Sequence, residues 1–116
     1  MGEFQRYDLE ERTLLFSKRI ISFVQQLPRS VTNTEITRQL IRAAGAVGAN
    51  YIEANESLGK RDFRMKVKIS KKEAKESRYW LQLISCSPNQ KTEQTELIGE
   101  ATELMNIFGA ILRNSA

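Results

Sequence analysis

The chain has 116 residues, 41% of them hydrophobic, and a net charge of +4 from 18 basic and 14 acidic side chains, values that suit one soluble domain with its own core. It has no histidine and one cysteine, which removes the commonest general base, the commonest zinc ligand and any intrachain disulfide. No apolar run approaches the ~18 residues that a membrane span needs, and six glycines with two prolines argue against a turn-rich all-β fold. The N-terminal MGEFQRYDLEERT lacks an apolar signal core, and Arg6 stands where myristoylation favours Ser or Thr. The expectation is a cytoplasmic protein, with no membrane partner, no cofactor and no metal site.

Apolar spacing predicts four helices. The first covers about 8–27, with Leu9, Phe16, Ile20, Phe23 and Leu27 inward and Pro28 as its stop. Thr32 and Glu35 have the spacing of a capping box, and a second helix follows over about 33–57. Its inward stripe reads Ile36, Leu40, Ala43, Val47, Asn50 and Ala54. Gly59 suits a left-handed helix end. The third helix, about 60–85, has the most regular pattern: Phe63, Val67, Ser70, Ala74, Ser77, Leu81 and Ile84 alternate steps of four and three, a heptad seam with a small middle. After the CSPNQKTE loop a fourth helix spans about 92–113 on Leu97, Ala101, Leu104, Phe108 and Ile111. Long helices joined by short loops must alternate in direction, so residues 1–116 read as one all-α, antiparallel, up-down-up-down four-helix bundle.

Within the second helix, RAAGAVGANYIEA contains Gly45 and Gly48 as a GxxG. Phosphate-cradling and RNA-clamping loops of this type need a strand or turn beside them. Here the glycines lie inside helical periodicity, so close helix packing is the stronger reading. The small residues run almost round the helix and suit neighbours on two sides, one being the small middle of helix 3 and another a second subunit. Asn50 on the inward stripe is expected as a satisfied structural amide, and Glu53 as the partner of a bundle Lys or Arg.

Helix 3 has two unlike flanks. One step after the seam positions lie Arg64, Lys68, Lys71, Lys75 and Arg78, and residues 60–78 hold nine basic against three acidic side chains. Such a stripe can be a solvated, ion-paired face or can track phosphates in a salt-sensitive way; Arg38 and Arg42 of helix 2 are candidates to extend it. No aromatic lies in the stripe, which argues against base stacking as its main mode. The other flank carries Ile69, Glu73, Glu76, Trp80 and Leu83, with Lys66, and is the expected oligomer interface.

QLIRAAGAVGANYIEA followed by KRDFRMKVKISKKEAKESRYWLQLI resembles the four-helix bundle family of 23S rRNA intervening-sequence, or S23-like, proteins. Arg42, Ala43, Ala44, Asn50, Phe63, Glu73, Glu76, Trp80 and Leu81 match its pattern, whereas Ala54 stands where the family usually has Gly. The resemblance implies a homo-oligomer, with a pentamer favoured, and no enzymatic activity. It also points to the related accessory variability determinant of diversity-generating retroelements, a basic pentamer that contacts nucleic acid and a reverse transcriptase. The resulting expectation is a non-enzymatic oligomer that binds nucleic acid, structured RNA above all, through helix 3. The alternative is a protein-interaction scaffold whose stripe pairs with a neighbouring subunit or a protein partner, with Glu73 and Glu76 as acceptors. An enzyme reading would need a metal held at Glu53, Glu73 and Glu76.

Overall fold

The structure, a computed structural model, describes the backbone of residues 2–116 and the side chains of residues 8–116. Four α-helices account for most of it: α1 (Gly2–Gln25), α2 (Val31–Asn55), α3 (Lys60–Leu83) and α4 (Lys91–Asn114). A 3₁₀ turn, Pro88–Gln90, leads into α4. Each helix of 24 or 25 residues is about 36 Å long at 1.5 Å per residue, within a body of 45 × 23 × 19 Å. α2 packs on α1 and α3, and α4 packs on the other sides of the same two helices. The connections are too short to allow anything but alternating directions. This is the expected up-down-up-down bundle.

The core follows the expected stripes closely. Leu9, Phe16, Ile20 and Phe23 of α1 are buried with Leu40, Val47, Val67, Leu81, Leu97, Leu104 and Phe108. Every seam position of α3 is buried except Phe63, which is half-buried. The α2 stripe departs at one position: Tyr51 is 4% exposed and packs its ring 5.8 Å from that of Phe108, while Asn50 is half-buried and donates to its own helix, Nδ2 to Ala46 O at 2.9 Å. Steps of three and four drift off the 3.6-residue helix after several turns, so the core direction passes from the Asn50 register to Tyr51.

Three buried amides close the loop end of the bundle. Asn33, 4% exposed, donates through Nδ2 to Pro28 O at 3.0 Å and Ser85 O at 2.8 Å, and its Oδ1 accepts from Ser85 N at 3.1 Å. Gln94 donates to Leu81 O and Ile84 O, two carbonyls at the end of α3, and Gln90 donates to Phe23 O. Helix ends leave carbonyls without intrahelical partners, and these side chains supply the missing donors.

Two local elements differ from the pattern that their residues suggest. The N-cap of α2 is Ser30, whose side chain accepts from Asn33 N, so the Thr32–Glu35 capping box does not form. Gly59 is not left-handed: it is the extended N-cap of α3 at φ −145°, and no described residue has positive φ.

Candidate nucleic-acid interface

The two glycines of GxxG have different surroundings. Gly48 is buried against α1, where a Cβ would lie 2.9 Å from Thr13 Oγ1, whereas Gly45 faces open space. Ser17 Oγ of α1 donates to Ala44 O at 3.0 Å, and Ser70 Oγ of α3 donates to Val47 O at 2.9 Å. The small residues of α2 therefore admit a helix on each side, and both helices belong to the same chain. Nothing about this segment forms a phosphate loop.

α2 and α4 divide the flanks of α3 between them. The flank expected as an oligomer interface is largely the α2 side. Arg42 reaches Glu76 at 3.2 Å and Glu73 at 3.8 Å. Glu73 is 7% exposed, Ile69, Glu76 and Trp80 are half-buried, and only Leu83 is exposed. The flank is partly covered because α2 lies along it, and the carboxylates expected as acceptors for a neighbour already hold Arg42. Glu53 holds Lys66 at 2.8 Å, and this hydrogen bond raises the Lys66 ammonium above its ordinary value.

The basic stripe borders α4. Arg64 donates to Leu112 O and Ser115 Oγ, and Arg78 donates to Thr102 Oγ1 at 3.2 Å. Lys71 lies beside Gly109. The stripe's two ends are thus pinned by polar contacts to α4, while Lys68, Lys71 and Lys75 are exposed. Lys72, absent from the stripe as read from the sequence, is exposed one turn from Lys68 and joins them. Among the described residues none of these four lysines has a carboxylate within 4.0 Å. Near the start of α3, Lys60, Arg61, Arg64, Met65 and Lys68 line a shallow basic depression.

Arg38 and Arg42 do not extend this surface. Arg42 sits over the opposite flank, and Arg38 pairs with Glu35 on its own helix at 3.8 Å. The remaining ion pairs bind α1 to α4. Arg12 meets Glu100 and Glu103, each at 2.7 Å, and Arg19 meets Glu93 and Glu96, each at 3.1 Å. The hydrogen bonds to Glu100 and Glu93, respectively, push these guanidinium groups further above an already high value. Acidic charge on α4 is thereby committed to α1, and the outer face of α3 keeps its positive charge.

A cavity of about 540 Å³ at one end of the bundle is lined by Leu9, Tyr51, Phe63, Ile107 and Ile111 together with Asp8, Arg12 and Asn55; Arg12 and Asn55 are engaged by Glu100 and Glu10. Among the described residues no three His, Cys, Asp or Glu side chains group as metal ligands, and no helix is long and apolar enough to cross a membrane. Glu53, Glu73 and Glu76 each face a cation.

Fold and surface together define an all-α bundle of four helices whose α3 carries an exposed row of lysines with no carboxylate partner among the described residues. The chain belongs to the 23S rRNA-intervening sequence protein family, whose model matches residues 5–110. It is also similar to a crystal structure, at 1.70 Å, of a protein of unknown function from the S23 ribosomal protein family of Bacteroides thetaiotaomicron. That similarity has a TM-score of 0.76 and 24% identity, and covers 93% of this chain and 97% of the other. No curated protein matches the chain.

Proposed function

We propose that this protein is a non-enzymatic, cytoplasmic homo-oligomer that binds structured RNA through the outer face of α3. The observation that carries this reading is the group Lys68, Lys71, Lys72 and Lys75, four exposed cations on one rigid helix with no acid partner among the described residues. Clustered on one face, such cations attract polyanions and gain from counterion release. The family's name refers to 23S rRNA intervening sequences, which favours RNA among polyanions. The absence of histidine and of a grouped acid, base or nucleophile among the described residues supports a binding role over catalysis. The test is binding of purified protein to rRNA fragments at about 50 mM salt, where electrostatic complexes are strong. Lys68→Glu, Lys71→Glu and Lys75→Glu together should abolish it; an unchanged affinity refutes the reading.

A second reading, a protein scaffold, has its own support. Leu14 and Ile21 of α1 are 54% and 43% exposed, and Ile41 and Ile52 of α2 are 41% and 49% exposed. They flank the outer side of the α1–α2 seam that Thr13, Ser17, Ala44 and Gly48 form. An apolar strip of this kind favours a protein contact, and another copy of this chain would satisfy the homo-oligomer, with a pentamer the assembly that the family resemblance implies. Light scattering tests it: Ile41→Lys with Ile52→Lys should lower the mass in solution, and a mass unaffected by these changes removes this surface from the assembly.

A further inference from the structure

We propose that the α3 surface takes structured RNA at an unpaired segment, a loop or a bulge, one base of which stacks on Tyr79. The inference rests on the RNA-binding reading above and names the form of RNA that the surface selects. Tyr79 is 57% exposed, although it lies on a helix whose seam is fully engaged. It is four residues beyond Lys75 and seven beyond Lys72, so all three share the outer face, with Tyr79 about 6 Å further along the axis than Lys75. Trp80 meets it in a T-shaped contact, ring centroids 5.0 Å apart and planes at 74°. Trp80 is itself half-buried against the core, and this edge contact restrains Tyr79 while leaving more than half of the residue accessible. An exposed, restrained aromatic at the end of a row of free amines combines the two elements that single strands require: cations along the backbone and a π-face for a base.

The spacing suits one strand. Lys68 to Lys75 is about 10 Å of helix rise, the length over which a stacked strand presents about three phosphates. A duplex could use the lysines, but its interior bases are stacked on both faces, which leaves Tyr79 only the terminal pairs. The lysines therefore supply affinity for either form, and Tyr79 supplies the preference. Tyr79 lies outside the five-residue stripe read from the sequence and next to Trp80, a residue of the other flank. The partial burial of Trp80 separates the two aromatics: one belongs to the packing and the other to the surface.

The experiment is a binding titration of the full chain with a single-stranded RNA and with an RNA duplex long enough that its two end faces are a small fraction of the binding sites. Tyr79→Leu keeps bulk and apolarity without a π-face, and Tyr79→Phe keeps the π-face. The expected result is about tenfold weaker binding of the single strand by Tyr79→Leu, retention by Tyr79→Phe, and no change for the duplex in either variant. Equal single-strand affinity in wild type and Tyr79→Leu, with binding still lost on lysine charge reversal, overturns the stacking inference and leaves the phosphate reading standing. An equal loss on both RNAs also overturns it. Wild-type protein that binds neither RNA overturns the underlying reading itself.

Discussion

Gly48 of α2 lies so close to Thr13 of α1 that a Cβ on the glycine would be 2.9 Å from Thr13 Oγ1 and 3.2 Å from its Cβ. Thr13 is 1% exposed and stiff at χ1 because it is β-branched, so it has little room to yield. Gly45, one turn earlier, meets nothing within 4 Å. The same substitution should act with opposite sign at the two sites. Gly45→Ala should stabilise by about 0.5–1 kcal/mol through helix propensity. Gly48→Ala gains the same term and loses about 1–3 kcal/mol to overpacking, for a net destabilisation. Urea unfolding of both variants checks this, with Thr13→Ala expected to rescue Gly48→Ala in part. A Gly48→Ala protein more stable than wild type would show that α1 can simply move away.

Asn33 joins three chain segments through its three hydrogen bonds to Pro28 and Ser85. Each is worth about 1 kcal/mol net, so Asn33→Ala should cost about 2–3 kcal/mol. Asn33→Asp separates charge from shape. The helix N-terminus favours a carboxylate by about 0.3–1 kcal/mol, but the anion would face Pro28 O and Ser85 O, where the amide now donates. The second effect is larger, so the folded-state pKa of the new carboxyl is raised above its unfolded value. Its ionised form is then the destabilising one, and the deficit against wild type should shrink as pH falls through the raised value, when a protonated carboxyl can donate again. Thermal unfolding of both proteins across the acid range measures it; a deficit that grows on acidification contradicts the assigned bond directions.

The helices and their inward faces were legible because burial imposes a period, and the α3 seam keeps that period without interruption. What periodicity cannot give is the handedness with which the helices go round. It defines two flanks of α3 but not which of them faces α2. The basic flank took α4 and the mixed flank took α2, so Glu73 is buried within the chain and Ile69, Glu76 and Trp80 are half-buried there. The same gap affected Arg42, which looked able to join the stripe and instead covers Glu73. Asn33 was missed for another reason: its partners lie 52 positions away at Ser85 and five away at Pro28, and no local pattern marks such a bond. The free lysines were partly visible as excess charge, but their lack of partners depended on where every carboxylate of α4 pointed.

Arg42 over Glu73 gives a prediction that separates packing from binding. Glu73 is 7% exposed, and its Oε1 accepts no hydrogen bond, so Arg42 at 3.8 Å supplies its countercharge. The Arg42 side chain is 55% exposed, and solvent screening limits what the pair is worth. Arg42→Ala should destabilise by about 1 kcal/mol, and Glu73→Gln in that background should recover part of the loss because the uncompensated charge is gone. RNA affinity should be nearly unchanged, since Arg42 lies across α3 from the lysines. A strong loss of RNA binding by a folded Arg42→Ala protein would return this residue to the nucleic-acid surface.

The salt dependence of RNA binding measures how many α3 cations meet phosphate. Each neutralised phosphate contributes about 0.7 to 0.9 to the slope of log affinity against log salt. Lys68, Lys71 and Lys75 are exposed and uncommitted, so replacing all three with Ala should make the slope shallower by about 2 to 3. Arg64 and Arg78 donate to Leu112 O, Ser115 Oγ and Thr102 Oγ1, and engaging a phosphate means giving up those bonds. Their removal should change the slope less than removal of an equal number of lysines. Replacing Arg38 and Arg42 should leave it unaltered, because Glu35, Glu73 and Glu76 already neutralise them. The chain contains no histidine, so no side chain with an ordinary pKa near 6.5 is present to alter the protein's charge between about pH 6 and 8, and the slope should be constant over that range. A slope set equally by the arginines of α2 and the lysines of α3 would mean that RNA wraps the bundle and does not lie along one helix.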